Sequence, residues 1–272
     1  MGEPVTPSAS AGDWLKALLL QLVDRAELDV ADLRAHPQEA LHRLRLRMKK
    51  AEALLRLSAG GLGRKQRKDL RKQMKQVKNA GGGQRDAEVV ATLAEKLGAK
   101  AGLKLLQPPQ PPAEARPKAA PLRALLKSLR ADLERQPFSR LDWEEVADNY
   151  AACYRAGRRL MRKAQEAMEP ETFHRWRKRV KALLYQTQAL HDSVDAPQKR
   201  LERSRKLARL LGREQDLTLL EAASGTQFPD NAWQAVIQAG REKGRPKIFK
   251  QGGKLYRKPV RKFAHLHGLP GR

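Results

Sequence analysis

The chain has 272 residues, 40% of them apolar, which is enough to bury a real core, and Lys plus Arg outnumber Asp plus Glu by 56 to 30 for a formal charge of +26. An excess of that size calls for a strongly negative partner; nucleic acid, an anionic membrane surface and polyphosphate all qualify, because each offers closely spaced charges to Lys and Arg. The single cysteine, Cys153, excludes an intramolecular disulfide framework and a Cys-rich zinc site, and points to a reducing compartment.

Apolar residues recur at helical rather than alternating spacing, and Val, Ile and aromatic residues are scarce, so the fold class expected is all-α. Residues 1–12, rich in Pro, Ser and Ala, read as a disordered N-terminus without the basic start and apolar core of a secretion signal. The apolar run around Leu18–Leu20 is too short to cross a bilayer, so a cytoplasmic protein without integral membrane association is expected. Helices are predicted over 14–28, 37–58, 64–79 and 84–99, with Gly60, Gly61 and Gly63 stopping one and Gly81–Gly83 another. From Gln107 to Pro121, prolines 108, 109, 111, 112, 117 and 121 disfavour helix and favour extended geometry. Helices resume over 120–135, 141–168, 171–192, 197–211, 214–223, 229–243 and 254–265, with Pro170 and Pro197 near helix starts.

Proline content alone leaves 107–121 equally readable as a linker or as a surface loop. A repeat decides for the linker. Leu41-His42-Arg43-Leu44-Arg45-Leu46-Arg47-Met48-Lys49 matches Phe173-His174-Arg175-Trp176-Arg177-Lys178-Arg179-Val180-Lys181 in apolar, His and basic character, except Leu46 against Lys178. Further along each copy, Gly82-Gly83-Gln84-Arg85-Asp86 has a counterpart in Gly212-Arg213-Glu214-Gln215-Asp216. Duplication of a multi-helix unit predicts a first half over about 13–106, the linker, and a second half over about 122–272, related by approximate two-fold symmetry.

On a helical wheel Leu41, Leu44, Met48, Ala51 and Leu55 share one face, as do Phe173, Trp176, Val180, Leu183 and Thr187; these are core stripes. Beside the first lie His42, Arg45, Lys49 and Arg56, and beside the second His174, Arg177 and Lys181. Side chains at i, i+3 and i+7 stand one above another, roughly 5–6 Å apart at Cβ, so each set is a ladder of cationic donors that a linear polyanion can follow. Any single Lys here reads more readily as snorkelling over the core edge. Two ladders of stacked like charges, with Glu52 as the only acid beside the first, read otherwise, because such stacking costs stability.

Neither His42 nor His174 has a second metal ligand at i+3 or i+4, and neither has a nucleophile or orienting carboxylate nearby in sequence. Phosphate binding suits an imidazole among cations, since bound phosphate draws it toward its two-donor form. Further basic positions on flanking helices include Arg71, Lys75 and Lys78 in the first half, and Arg158, Arg162, Lys206 and Arg209 in the second. Asp86 and Asp216 follow glycine turns, where they either cap helix starts or pair with a ladder arginine.

His42-x-x-Arg45 with Lys49-Lys50, His174-x-x-Arg177-Lys178-x-x-Lys181-x-x-x-Tyr185, Arg85-Asp86 and Leu211-Gly212-x-x-x-Asp216 stand in the order of the signatures of the CHAD family, the conserved-histidine α-helical domain, which the chain resembles from about Asp13 onward. The first turn lacks the usual Leu before Gly, and no ligand role is carried onto Gln215 in the second. The resemblance implies two four-helix bundles enclosing a basic central channel that binds inorganic polyphosphate. Its ligand-facing positions fall on His42, Arg45, Lys49, His174, Arg177 and Lys181, with Arg158 and Arg162 as extras. The CYTH triphosphate-tunnel domain fused to some members, with its ExExK-like carboxylate set, has no counterpart in this sequence. The expectation is therefore binding without catalysis, cofactor or metal, with targeting to polyphosphate granules as its use and nucleic acid as a weaker competitor. The alternative is an RNA-binding basic helical protein, against which stand an aromatic content of 5% and the lack of an RNP-like motif.

Overall fold

A computed structural model describes residues 10–80, 91–95, 97–98, 118–194, 197–227, 231–260 and 263, and among them the regular elements are all helical. The chain is all-α, as its apolar periodicity predicts. We number the helices α1 (Ala11–Ala31), α2 (Pro37–Leu54), α3 (Arg64–Asn79), α4 (Ala119–Arg135), α5 (Trp143–Ala167), α6 (Pro170–Val194), α7 (Gln198–Gln227) and α8 (Asn231–Leu255). Residues 91–95 and 97–98 are helical as well, within the expected 84–99. The Gly81–Gly83 break, Asp86, and most of the linker lie outside the described residues.

Local chemistry sets most boundaries. The Ser10 hydroxyl accepts from the Asp13 N–H at 3.3 Å and starts α1. Asp142 and Glu145 form a reciprocal capping box at the start of α5, and Met168 ends that helix in a left-handed conformation. After α2 the chain tightens into a 3-10 turn over Leu55–Ser58 and then leaves helical geometry at Gly60, whose φ of +108° suits glycine. Pro121, expected to exclude helix, sits in the first turn of α4, where its missing N–H has no helical partner to lose.

Two expected breaks do not occur. The predicted helices 197–211 and 214–223 are one helix, α7, running through Gly212, and α8 continues past Gly244 and Pro246 to Leu255. In both cases buried partners on either side outweigh the local cost of about 1 kcal/mol for glycine or about 3 kcal/mol for proline. Leu207, Leu211 and Leu220 pack on either side of Gly212, and Arg241, Ile248 and Gln251 are buried on either side of Pro246. Asp216 consequently lies inside α7, so the helix-start role expected for it is overturned. The helix expected over 254–265 begins later, because residues 256–259 are non-helical.

One continuous apolar core draws on all eight numbered helices, with Trp14, Trp176, Tyr150 and Tyr154 fully buried in it. The Trp14 and Trp143 rings meet at 4.9 Å, tilted by 44°, which ties α1 to α5. Helix α2 packs between α1 and α3 and also against α6. Their contacts run in opposite order: the Gln186 side chain donates to the Ala53 carbonyl at 2.8 Å, while Lys50 feels Asp192 and Arg56 feels Arg179. The two ladder-bearing helices are therefore antiparallel neighbours.

Candidate polyanion-binding site

The end of α2 and its 3-10 turn are pinned from both sides. The Asn149 amide donates to the carbonyls of Leu57 at 3.1 Å and Ala59 at 2.6 Å, and the Ser58 hydroxyl donates to the Leu55 carbonyl at 2.7 Å. This turn holds Arg56 between two concavities. The first, about 660 Å³, lies between α2 and α3; Arg56, Arg64, Arg67 and Lys68 line it, followed along α3 by Arg71, Lys72 and Lys75, with Leu55 at its floor. The second, about 390 Å³, lies between α5 and α6; Arg56, Arg159 and Lys163 face Arg175, Lys178 and Arg179 across it.

Seven cations line the first concavity and six the second, and Arg56 belongs to both, so twelve cationic side chains meet one carboxylate, Glu52. Even that carboxylate is engaged, accepting from Lys78 Nζ at 2.7 Å. Among the described residues none of the twelve forms an ion pair, and the buried Nε of Arg67 has no hydrogen-bond acceptor. Burial, then Arg179, then Arg71, push the Arg56 guanidinium below its ordinary pKa.

Other described carboxylates are engaged elsewhere. Arg43 binds Asp29 and Asp32, and Arg47 reaches Asp29 at 3.3 Å. Arg130 pairs with Asp24 and Glu27, while Arg241 and Arg245 share the buried Glu214. Those pairs brace the helical frame, whereas the concavities concentrate positive charge that, among the described residues, meets no carboxylate but Glu52.

Of the residues singled out from the sequence, Arg71 and Lys75 line the first concavity, and Lys78 stands at its edge through Glu52. His42 and Lys49 are exposed on α2 and Arg45 is half-buried. Along the helix surface that row leads through Glu52 to Arg56 and so into the concavity. His174, Arg177 and Lys181 are half-buried on α6. Their row borders the second concavity through Lys178, which is four residues after His174 and three before Lys181. Arg158 is half-buried and Arg162 exposed on α5, while Lys206 and Arg209 are exposed on α7; none of these four lines either concavity.

Sequence reasoning missed Gln215. His174 Nδ1 donates to the Gln215 side-chain oxygen, which fixes the ring and leaves Nε2 as the nitrogen for a ligand. Arg159 is among the basic residues expected on helices flanking the ladders, but Lys163, Arg175 and Arg179, which share a pocket with it only because α5 packs on α6, were missed. No aromatic ring lines either concavity among the described residues. No helix among them is long and apolar enough to cross a membrane.

The family model described as CHAD domain matches residues 15–223, which span α1 and most of the way through α7 and leave α8 beyond the match. No curated protein and no solved structure matches the chain.

Proposed function

The chain belongs to the CHAD domain family, and on that basis we propose that it binds inorganic polyphosphate, holding the chain in the joined concavities with the two ladders as flanking contacts. The observation that carries the reading is the set of twelve cations around a single carboxylate that already has a partner. Arginine forks grip phosphate oxygens with two donors and lysines supply point charges, so the mixture suits a flexible chain of phosphates with no fixed register. His174, its ring held by Gln215, adds a polar contact on the row that flanks the second concavity.

Polyphosphate is favoured over RNA because the lining offers charge without rings. Single-stranded nucleic acid gains roughly 1–3 kcal/mol per base stacked on an aromatic side chain, and these concavities have none to offer. The ligand is held without chemical change, and the protein acts as a cytoplasmic binding module that associates with polyphosphate granules. Competition tests this directly. Labelled long-chain polyphosphate bound to the protein should resist displacement by single-stranded RNA and duplex DNA at equal phosphate concentration; displacement by RNA at parity would put nucleic acid in first place.

A further inference from the structure

Arg56 is the one side chain shared by both concavities, and its position is unfavourable without a ligand. It is half-buried, its like-charged neighbours are Arg179 on one side and Arg71 on the other, and among the described residues no carboxylate forms an ion pair with it. An anion confined to the first concavity leaves the Arg179 side uncompensated, and an anion confined to the second leaves the Arg71 side. Only a ligand lying across Arg56 relieves both.

From this, and resting on the polyphosphate reading, we infer that Arg56 joins the two concavities into one binding unit and sets a minimum length for the preferred ligand: a linear phosphate chain that spans both. The first concavity extends along α3 for about 16 Å from Arg64 to Lys75, and the second along α6 for about 10 Å from Arg175 to Ala182, at the rise of an α-helix. Chains shorter than either stretch occupy the concavities independently. A chain long enough to cross Arg56 makes its second engagement intramolecular, and linked sites of this kind gain on the order of 10²–10⁴-fold over either alone.

The test is calorimetric titration with tripolyphosphate and with chains of increasing length on wild type, Arg56→Gln and Lys72→Gln. Lys72 lines the first concavity alone, so its variant removes one charge without touching the junction. Wild type should take two tripolyphosphates per protein weakly and one long chain tightly, with a step of at least about 100-fold once the chain spans the junction. Arg56→Gln and Lys72→Gln should each weaken tripolyphosphate binding to a similar degree, by about threefold or more, but Arg56→Gln alone should lose most of the step; thermal melting checks that both variants remain folded. A smooth rise of affinity with length, or equal loss of the step in both variants, would overturn the bridging role while leaving polyphosphate binding intact. Failure of any phosphate chain to bind ahead of RNA would overturn the polyphosphate reading itself, and this inference with it.

Discussion

Replacing Glu52 with Gln should tighten polyphosphate binding while loosening the free protein. Glu52 is the only carboxylate in the lining among the described residues, mostly buried, and held by Lys78 at 2.7 Å. A phosphate brought within roughly 6 Å of that carboxylate meets a repulsion of about 3 kcal/mol at an effective dielectric of 20. Solvent in the open concavity and the neighbouring Lys78 reduce this to a net of about 1 kcal/mol, or about fivefold in affinity. Without a ligand the sign reverses, because Lys78 loses its partner among like charges and stability falls by about 1 kcal/mol. Chemical denaturation gives the stability change and calorimetric titration at fixed salt gives the affinity. Unchanged or weaker polyphosphate binding by a folded Glu52→Gln protein would refute the placement of the ligand in this concavity.

Further outcomes follow from the frame around the site. Glu214→Ala takes the carboxylate partner from Arg245, while Arg241 keeps Glu221 at 2.6 Å, and should cost about 2–3 kcal/mol in denaturant unfolding, whereas Asp24→Ala, at a largely exposed pair with Arg130, should cost no more than about 1 kcal/mol. Equal costs would contradict the bracing role of the α7–α8 network. A Cβ on Gly12 would lie 1.9 Å from the Phe138 carbonyl oxygen, so Gly12→Ala should lower the melting temperature by the equivalent of about 1–3 kcal/mol; an unchanged melting temperature would contradict that docking of α1. His36 donates to Asp32 at 2.9 Å, and that hydrogen bond raises its pKa above the ordinary 6.5, while His36 first and Arg43 second hold Asp32 below 3.8. The stabilisation from protonated His36 is therefore complete below pH 6.5 and lost as pH rises through its raised midpoint, and that from ionised Asp32 is complete above pH 3.8 and lost as pH falls through its lowered one. An NMR titration should place the His36 midpoint above 6.5 and return it toward that value in Asp32→Asn; a wild-type midpoint at or below 6.5 would refute the pair.

The helical class was legible because apolar residues recur at helical spacing, and the starts of α6 and α7 because Pro170 and Pro197 stand at or beside a first turn, whereas the Ser10 and Asp142 caps of α1 and α5 went unread. Gly212 and Pro246 misled for the complementary reason, since long-range burial on both flanks carries α7 and α8 through residues that end helices in isolation. The site was legible in kind and incomplete in detail. Ladder spacing along α2 and α6 identified two basic helices, and Arg56 stands in the 3-10 turn that follows the first. Which flank of each helix encloses a concavity depends on what packs beside it, and nothing within the α6 sequence says that α5 brings Arg159 and Lys163 to face Arg175 and Arg179. The contact between His174 and Gln215 joins residues 41 positions apart on two helices, a distance that periodicity does not cover.

The account stands on polyphosphate lying in the concavities joined at Arg56. The most direct measurement is calorimetric titration of long-chain polyphosphate at two salt concentrations, in parallel with single-stranded RNA. It compares wild type with an Arg71→Gln/Arg179→Gln variant, which removes one cation from each concavity, and with a His42→Ala/Arg45→Ala/His174→Ala/Arg177→Ala variant of the ladders. Tight polyphosphate binding by wild type in preference to RNA, with a clear loss in the first variant and a smaller loss in the second, is the result predicted. Binding that is indifferent to Arg71 and Arg179, or RNA binding as tight as polyphosphate at equal phosphate concentration, would contradict it.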